Sequence, residues 1–485
     1  MSVTQVRLKS DGRAKMVPGP TGKPLLGWRG NMLPLLRDPI GYMQHLNRTY
    51  GDVVSLSEGS SEYLFVFSPE YNRQVLSDQT LFHNGAVNTP GSPVKLPKGS
   101  AAVRLFSGLT TMNDAKHTQQ RRLLMPTFHK KSVETLHGTM VGLTEAQLAG
   151  WHIGQRFDLL REMKALTLSI AIQTILGLDP EREGDHVRRI MERWLKLTLS
   201  FSTVALPFNL PGFPFHRMLR LSQELENEIR AMLRRKRQLD RRGATAGGDA
   251  LSMLIQAHDE DGTRLSESEL IGQTTTLFVA GHETTANALT WTLFLLAQHP
   301  GVLEELQAEM EAKLHGEVPN IAQLADLPLL DRVIKESMRL LPPGLWFLRV
   351  TTAPTNFGSY QIEEGTRILW SPAVTHRRAD IYPQPEKFQP QRWEQIDPSP
   401  YEYMPFGAGP RRCLGATFAT MEMKLVLAML LQRFNVQVEP RARIELGGSP
   451  LASPKYGMPV RLEARGERLR KARVRGNIGK FVQLN

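Results

Sequence analysis

Cys413 is the only cysteine among the 485 residues, and it lies in a stretch of unusual composition, residues 406–415 (Phe-Gly-Ala-Gly-Pro-Arg-Arg-Cys-Leu-Gly). A lone cysteine could be a buried apolar residue, a nucleophile or a single thiolate ligand of a metal cofactor. The glycines allow close backbone approach, and Arg411 and Arg412 favour the ionised thiol. The apolar run at 416–431 predicts a helix whose N-terminus also favours an anionic sulfur. This setting favours the thiolate ligand.

A second group of reactive side chains lies in the middle of the longest predicted helix, residues 266–298. The helix opens with Ser266 and Glu269 at the spacing of a capping box, and residues 280–285 read Ala-Gly-His-Glu-Thr-Thr. A carboxylate and hydroxyls are costly in an apolar buried helix unless they are paired or used in chemistry. The structural alternative is a polar kink, because glycine weakens a helix and threonine hydroxyls can replace backbone partners.

Glu336 and Arg339 form a charge pair on one face of the helix predicted over residues 331–340. Alone, such a pair is a common surface salt bridge that contributes little to stability. A Pro-Gln-Arg-Trp segment follows at 390–393 and supplies a third charged side chain.

His117 and Arg121 stand four residues apart on the helix predicted over residues 114–125, and therefore on one face. Such a pair could bind an anionic group. The alternative is a solvated basic face, because Lys116 and Arg122 lie beside them.

Four of these motifs, in their order along the chain, resemble those of the cytochrome P450 family. Residues 406–415 match Phe-x-x-Gly-x-Arg-x-Cys-x-Gly at every fixed position, and residues 280–285 match Ala-Gly-x-Asp/Glu-Thr-Thr/Ser. Residues 336–339 match Glu-x-x-Arg, and residues 390–393 match Pro-x-Arg-x. The resemblance spans residues 18–462. It implies a mainly α fold with a small β region (α+β), in which haem b lies between the long central helix and the helix after the cysteine.

The resemblance also implies roles for individual residues. Cys413 would ligate the haem iron through its thiolate, which favours cleavage of the O–O bond. Glu283 and Thr284 would form the acid–alcohol pair that supplies protons for oxygen activation. The residues expected around the haem are His117, Arg121, Arg349 and Arg411 at the propionates, Ala280 and Gly281 beside the oxygen, and Phe406 and Gly415 in the cysteine loop. The residues expected in a buried charge network that supports this loop are Glu336, Arg339 and Arg392.

The function implied is that of a haem-thiolate monooxygenase, which inserts one atom of O2 into a hydrophobic small molecule by hydroxylation or epoxidation. Electrons would come from a separate ferredoxin or flavodoxin-type donor with its reductase. The expected substrate-pocket residues are Leu277, Phe278, Trp346, Phe347 and Tyr456. Two alternatives stay open: a family member that rearranges or uses a peroxide without external electrons (an isomerase, dehydratase or peroxygenase), and a haem-binding sensor. The intact Glu283-Thr284 pair favours the monooxygenase.

Composition and charge set the domain prediction. The hydrophobic fraction of 41% is that of a globular protein with a sizeable core, and the net charge of +12 implies attraction to acidic partners. Residues 465–485 carry +6, half of this charge, and are predicted to form a solvated, partly disordered basic tail. The prediction is a polar tail at 1–17, one haem domain at 18–464 and this basic tail. Nucleic-acid binding has no motif behind it and is not expected.

No signal-peptide pattern and no run of about 20 apolar residues is present, so a soluble, cytoplasmic protein is expected. Residues 201–215 contain four phenylalanines and three prolines, which indicates an apolar lid, with weak contact to a membrane surface as a second interpretation. Residues 81–111 form a long, weakly periodic loop. The other elements predicted are an extended segment at 17–31, helices at 38–50, 159–176, 186–199 and 218–236, and strands at 53–56, 63–67, 344–350, 362–369, 436–438 and 460–462.

Overall fold

The computed structural model describes residues 16–60, 62–85, 95–198, 200–242, 248–447, 450–467 and 470–484. Most of the polar tail predicted at the N-terminus, residues 1–15, lies outside these described residues. The first nine α-helices are α1 (Trp28–Arg37), α2 (Pro39–Tyr50), α3 (Pro69–Ser77), α4 (Ala101–Leu105), α5 (Asp114–Leu124), α6 (Lys130–Glu134), α7 (His137–Ala149), α8 (Leu159–Ala171) and α9 (Gly184–Thr198). The later ones are α10 (Phe201–Ala205), α11 (Pro214–Arg241), α12 (Ala250–Gln256), α13 (Glu267–Gln298), α14 (Pro300–Leu314), α15 (Ile321–Ala325), α16 (Pro328–Leu340), α17 (Pro372–Thr375) and α18 (Ala416–Leu431).

The strands of the described residues form three small sheets. They are β1 (Val53–Ser55), β2 (Tyr63–Val66), β3 (Phe82–His83), β4 (Arg156–Asp158), β5 (Phe347–Thr351), β6 (Thr355–Phe357), β7 (Tyr360–Ile362), β8 (Arg367–Trp370), β9 (Phe434–Val438) and β10 (Pro459–Ala464). The largest sheet has the order β1-β2-β8-β5-β3, a second has β4-β10-β9, and β6 and β7 form a hairpin. Among the paired strands of the described residues, only β2 and β8 run parallel, and they come from opposite ends of the long helical part of the chain. The mainly α fold with a small β region is confirmed.

The long helix α13 is the element around which the other helices pack. Ser266 caps its N-terminus, and Ser266 and Glu269 form the predicted capping box. Its 32 residues extend for about 48 Å at 1.5 Å per residue. One hydrophobic core, which includes α16 and α18, packs against its C-terminal half, and a second core of α8, α9 and α11 packs near its N-terminal half.

A close crossing of two backbones fixes α13 against the loop after α4. Gly108 and Gly272 face each other here: a Cβ on Gly108 would lie 2.6 Å from the Gly272 carbonyl oxygen, and a Cβ on Gly272 would lie 2.5 Å from the Ser107 oxygen. The Gln273 side chain completes the contact, since it accepts a hydrogen bond from the Leu109 amide and donates one to Gln120 on α5. The loop that was predicted at 81–111 is therefore anchored directly on the central helix, and it contains β3 and α4.

Most predicted elements are present with shifted ends. Asp38 caps α2 by accepting a hydrogen bond from the Gly41 amide, as its position before Pro39 indicates. The extended segment predicted at 17–31 ends earlier, because α1 begins at Trp28. The predicted break at 201–215 contains the short helix α10, and the strand predicted at 362–369 is two strands, β7 and β8.

The prediction of a solvated tail at the C-terminus is wrong for its described part. Ala472, Ile478, Phe481 and Val482 are buried and belong to the main hydrophobic core. The basic side chains between them point outward, so that the high charge of this segment conceals an apolar face that packs. Among the described residues, no helix combines the length and the apolar character needed to cross a bilayer.

Candidate active site

The loop that carries Cys413 is a tight turn that packs against α3 and leads into α18. The Cys413 amide donates to the Phe406 carbonyl at 2.8 Å and the Gly407 amide to the Met404 carbonyl at 3.0 Å. Gly409 has a positive φ of 69°, and a Cβ there would clash with the Leu76 carbonyl on α3. The glycine at 409 is therefore required by the turn and by contact with α3, whereas a Cβ on Gly415 would meet open space.

The Cys413 side chain is solvent-accessible, yet burial raises the pKa of its thiol. The two observations agree if the sulfur faces a small open space inside the protein. The side chain is then accessible to solvent, while the protein that surrounds it still raises the pKa of the thiol. The Gly415 amide, Arg121 and Arg412 lower the pKa and oppose this effect. The prediction that Arg411 and Arg412 both favour the thiolate is thus correct for Arg412, while Arg121 takes the place assigned to Arg411.

One face of α13 is open in the middle of an otherwise buried helix. Ala280 is exposed, and Leu277 and Thr284 are half-buried on the same face. Gly281 points elsewhere: a Cβ there would lie 2.9 Å from the Ile175 side chain, in the π-helical turn that follows α8. Of the two residues expected to leave room for oxygen, only Ala280 is exposed on this open face, and Gly281 serves close helix packing.

Phe278 is misassigned to the substrate pocket by the sequence reasoning. Its side chain is buried in the second core, 5.3 Å from the His282 ring, on the face of α13 that points away from Ala280. The His282 ring nitrogen makes a hydrogen bond to the Phe278 carbonyl, which keeps this pair turned into the core. The rotation of the helix explains the error, because residues 278 and 280 lie about 200° apart around the helix axis and therefore on opposite faces.

Three arginines and a histidine converge near the cysteine loop. Burial lowers the pKa of His117 to about 4, and the charges of Arg411, Arg121 and Arg349 add to this effect. Burial and Arg411 lower the pKa of the Arg349 guanidinium to about 9. Within the described parts of the chain, none of these arginines has a carboxylate partner within 4 Å. The cluster is a concentration of unbalanced positive charge.

The hydrogen bonds of this cluster leave donors free. Arg411 donates to the Met112 carbonyl at 2.8 Å and to the Asn113 side chain at 2.7 Å, but its Nε is buried without a partner. His117 is buried with an unpartnered Nδ1. Because its pKa is low, His117 is a neutral hydrogen-bonding group at neutral pH here, and its expected place at a propionate stays a prediction.

The predicted charge network around Glu336 is present in full. Its carboxylate accepts two hydrogen bonds from Arg339, at 2.9 Å each, and one from Arg392 at 2.9 Å. Two further donors were not anticipated: the Gln389 amide at 3.0 Å and the Trp393 indole N–H at 3.0 Å. Glu336 and Arg339 are completely buried, so this network is not the surface salt bridge that the spacing alone would suggest.

The network is connected to the cysteine loop through His376. Arg339 donates to the His376 carbonyl at 2.8 Å, and the His376 Nε2 accepts from the Met404 amide at 2.9 Å. The Met404 carbonyl accepts a hydrogen bond from the Gly407 amide. The residue before Gly407 is Phe406, whose carbonyl accepts a hydrogen bond from the Cys413 amide. Hydrogen bonds, linked by short stretches of covalent structure at His376 and at residues 406–407, therefore connect Glu336 to Cys413.

The sequence model of a protein family described as Cytochrome P450 matches residues 18–455 of this chain. The chain belongs to the cytochrome P450 family. It is 31% identical over 430 residues to cyclooctat-9-en-7-ol 5-monooxygenase of Streptomyces melanosporofaciens, with 87% of this chain and 89% of that protein covered. It is 30% identical over 443 residues to pentalenene oxygenase of Streptomyces avermitilis, with 90% and 94% covered. This P450 is an oxidoreductase of the monooxygenase kind.

The fold of this P450 is similar to that of a solved relative. The structure of the cyanobacterial CYP120A1 with retinoic acid bound superposes with a TM-score of 0.77 at 25% sequence identity, over 93% of this chain and all of that one. P450s contain a haem held by a cysteine thiolate. The residues around Cys413 fit such a group, because the enclosed thiol, the unbalanced arginines and the free donors match an iron and two carboxylates.

Glu283 and Thr284 of this P450 make separate contacts. The Glu283 carboxylate is bound by the Lys164 ammonium of α8 at 2.7 Å, and the Thr284 hydroxyl donates to the Ala280 carbonyl at 2.8 Å. One turn further along α8, the Thr167 hydroxyl donates to the His282 carbonyl at 3.0 Å. The sequence did not indicate Lys164, because only the packing of α8 on α13 brings it to the acid.

The remaining pocket candidates divide into two groups. Trp346 is half-buried with an unpartnered indole N–H, and Phe347 is 38% exposed and stacks on Trp370 with ring centroids 4.7 Å apart. Tyr456 is 48% exposed and faces the Arg443 guanidinium at 4.3 Å, so that its contact is with a cation instead of the apolar candidates. The pocket role of Tyr456 stays a prediction without support.

Trp370 is a site residue that the sequence reasoning missed. It is buried, its indole N–H has no partner, and the Arg349 guanidinium lies 6.0 Å from its ring centroid. Its ring also lies next to Gly407 in the cysteine loop. The only signal in the sequence was a tryptophan at the end of a predicted strand, and its pairing with Phe347 across β5 and β8 could not be read from spacing.

We expect Trp393→Phe to weaken the charge network without removing any charge. The substitution keeps an aromatic ring and deletes the N–H that donates to Glu336, so the free energy of unfolding should fall by about 1.5–3 kcal/mol, the value of a hydrogen bond to a charged group. Denaturant unfolding measures this. Trp28→Phe is the control, because that half-buried indole has no hydrogen bond to the described residues. An equal loss in both variants would contradict the role of Trp393.

Proposed function

We propose that this P450 holds haem b through Cys413 and inserts one atom of O2 into a hydrophobic small molecule, by hydroxylation or epoxidation. The observation that carries the proposal is the Cys413 thiol, which is enclosed by protein yet borders open space beside an α-helix N-terminus. A thiolate-held haem supplies the oxygen-activating chemistry of such a reaction. The protein binds the apolar substrate, limits water and supplies protons.

The cations and donors near the cysteine loop would hold the two propionates. Arg121, Arg349 and Arg411 would neutralise them, and His117 would contribute a hydrogen bond from its unpartnered Nδ1. Phe406, through the carbonyl that binds the Cys413 amide, would fix the loop, and Gly415 would leave clearance on the cysteine side. Support comes from the absence of a carboxylate partner for these arginines within the described residues. Burying such cations is costly unless an anion completes the site.

Glu283 and Thr284 would supply protons on the other side of the cavity. Thr284 lies on the same open face of α13 as Ala280, and its hydroxyl could turn from the Ala280 carbonyl into the cavity. Glu283 is partly exposed and paired with Lys164, itself in contact with solvent, so this carboxylate can exchange protons with water. The pair therefore links solvent to the cavity in two short steps.

We propose terpenoids as the substrate class. Two relatives with about 30% identity are named for the oxygenation of cyclooctat-9-en-7-ol and of pentalenene, and the solved relative has retinoic acid bound. The cavity candidates with favourable positions are apolar or aromatic, namely Leu277, Trp346 and Phe347. An apolar wall suits a hydrocarbon skeleton, which all three of these molecules have.

Electrons would come from a separate acidic ferredoxin or flavodoxin-type protein with its reductase. The exposed Arg412 beside Cys413 and the net charge of +12 suit docking of such a partner. The cytoplasmic location expected from the sequence stays a prediction.

Turnover with a surrogate ferredoxin and reductase tests the proposal. We expect NAD(P)H- and O2-dependent formation of oxygenated product from at least one member of a terpenoid panel preselected by the haem spin-state shift. Thr284→Ala should keep haem and substrate binding but divert most reducing equivalents to peroxide. Product per NAD(P)H should fall at least about tenfold, which is less than the roughly 10²–10⁴-fold effect typical of general acid–base groups. Thr290→Ala is the control, because Thr290 makes the same intrahelical bond on α13 away from the open face.

The outcomes separate the alternatives. Product formed from a peroxide substrate without external electrons would identify an isomerase, dehydratase or peroxygenase. Spin-state shifts without any product under all conditions would identify a binding protein. Unchanged coupling in Thr284→Ala would contradict the proton-supply role.

We further propose weak docking on anionic membranes through the N-terminal helix. The outer face of α1 and the turn before it expose four leucines, Leu25, Leu26, Leu33 and Leu36, whereas Leu35 is buried. The same segment, residues 16–37, carries three basic residues and no acid. Exposed leucines beside basic side chains match the interface of an anionic bilayer. The segment predicted as a lid, 201–215, adds exposed Leu206, Phe208 and Leu210.

Vesicle flotation tests this surface. The protein should float with phosphatidylcholine vesicles that contain phosphatidylglycerol and much less with phosphatidylcholine alone, and the double variant Leu33→Ser/Leu36→Ser should bind at least about tenfold more weakly because two apolar side chains no longer insert. Leu239→Ser, at an exposed leucine of α11, is the control. Equal binding of the double variant, or a dimer in solution that the double variant abolishes, would contradict membrane docking.

A further inference from the structure

The basic C-terminal segment lies beyond the part of the chain that the family model matches, residues 18–455. We infer that residues 470–484, here called the strap, hold in place the charge network behind Cys413. Arg377, Phe481 and Gln483 are then positioning residues for the cysteine loop. The inference rests on the proposed function only where its test uses haem.

The strap first runs along the chain that follows β9. The Arg441 amide donates to the Arg473 carbonyl at 2.7 Å, and the Arg475 amide and carbonyl bond to Ala442 and Ile444 at 2.8 Å each. The Asn477 side chain then bonds both the amide and the carbonyl of Leu446. These bonds resemble the pairing of an added strand, and they fix the strap up to residue 477.

Gly476 allows the strap to turn into the protein at this point. Its φ is 105°, and a Cβ there would lie 2.9 Å from the Glu445 side chain and closer still to the Ile444 carbonyl oxygen. Neither condition suits a residue with a side chain. Beyond the turn, the segment 478–484 inserts Ile478, Phe481 and Val482 into the main core.

The inserted end reaches the charge network at two points. Arg377 donates from Nη2 to the carbonyls of Phe481, at 3.1 Å, and of Leu340, the last residue of the helix that carries Glu336 and Arg339. The Gln483 amide donates to the Glu386 carbonyl at 2.8 Å. Arg339 binds the carbonyls on either side of Glu386, at 2.7 Å for Pro385 and 3.2 Å for Lys387.

Arg377 makes the strap energetically significant. Its guanidinium is buried, and no carboxylate in the described residues lies within 4 Å of it. Its two terminal nitrogens donate to the carbonyls of Ala373, Leu340 and Phe481, its Nε has no partner, and Glu386 acts on it only as a more distant charge. Removing the Phe481 carbonyl would leave a buried cation with one acceptor fewer, which costs more than the loss of a neutral hydrogen bond. The strap thus completes the environment of a buried charge that adjoins the helix end of the network.

A short path leads from these contacts to the cysteine. Arg377 follows His376, whose carbonyl accepts from Arg339 and whose Nε2 accepts from the Met404 amide. Met404 precedes the turn in which Phe406 binds the Cys413 amide. A shift of residues 376–387 would therefore be transmitted to the position and rigidity of the cysteine loop.

The distribution of charge on the strap agrees with this role. Arg470, Lys471, Arg473, Arg475 and Lys480 are exposed, while the apolar residues between them are buried. The basic side chains keep the segment solvated on its outer face and take no part in the insertion. They can be changed without touching the proposed contacts.

Hydrogen–deuterium exchange of the full chain tests the inference. The two variants are Gln483→Pro, which removes the amide donor to Glu386, and a chain that ends at Asn477. The double variant Arg470→Gln/Lys471→Gln is the matched control on the outer face. Exchange in peptides that cover residues 400–415 should accelerate roughly five- to tenfold in both test variants, the effect of losing one or two hydrogen bonds from a local unit. Peptides from α7 should not change, and the control should match the parent protein.

A spectroscopic measurement provides the second readout. In the haem-loaded protein, below the unfolding transition, both variants should convert part of the ferrous carbonmonoxy form from thiolate to thiol ligation and release haem faster to an apoprotein acceptor. If no variant, nor the parent, binds haem, the proposed function fails while the exchange result still stands. Acceleration confined to residues 437–446, or equal acceleration throughout the chain in both variants, would overturn the positioning role.

Discussion

The Glu336 carboxylate is the interaction on which the geometry of the cysteine side depends. It is completely buried and accepts five hydrogen bonds, from Arg339, Arg392, Trp393 and the Gln389 amide. It thereby joins the end of α16 to the segment that precedes the cysteine loop. Loss of one charged partner from such a network typically costs about 3–5 kcal/mol, because the remaining buried charge is uncompensated.

In contrast to the tightly packed charge network, the central helix α13 leaves open space at its middle. A helix of 32 residues buried on most sides would normally have no accessible residue at its middle, and here Ala280 breaks that pattern. Anchoring at Gly272 and Gln273, together with packing of Gly281 on Ile175, holds the helix in the orientation in which Ala280 is exposed. Neighbouring elements therefore fix the rotation of α13 that leaves Ala280 exposed.

Motifs that depend on local spacing could be read from the sequence. The capping box, the Glu-x-x-Arg pair and the cysteine loop all have partners within a few residues, or belong to a pattern that a large family shares. Features that depend on helix rotation or long-range packing could not. Phe278 faces the core instead of the pocket, Lys164 meets Glu283 only through helix packing, and Trp370 reaches the cysteine loop across the sheet. The C-terminal segment was predicted to be solvated because of its high charge, but the apolar residues between its basic side chains are buried.

The central claim is that the enclosed Cys413 thiolate is the ligand of a haem in this P450. The most direct measurement is the absorption spectrum of the reduced, carbon-monoxide-bound protein, compared between the parent chain and Cys413→Ser. The account predicts the red-shifted band of thiolate-ligated haem in the parent and its loss in the variant, since no second cysteine exists to replace Cys413. A red-shifted band that persists in Cys413→Ser would contradict it.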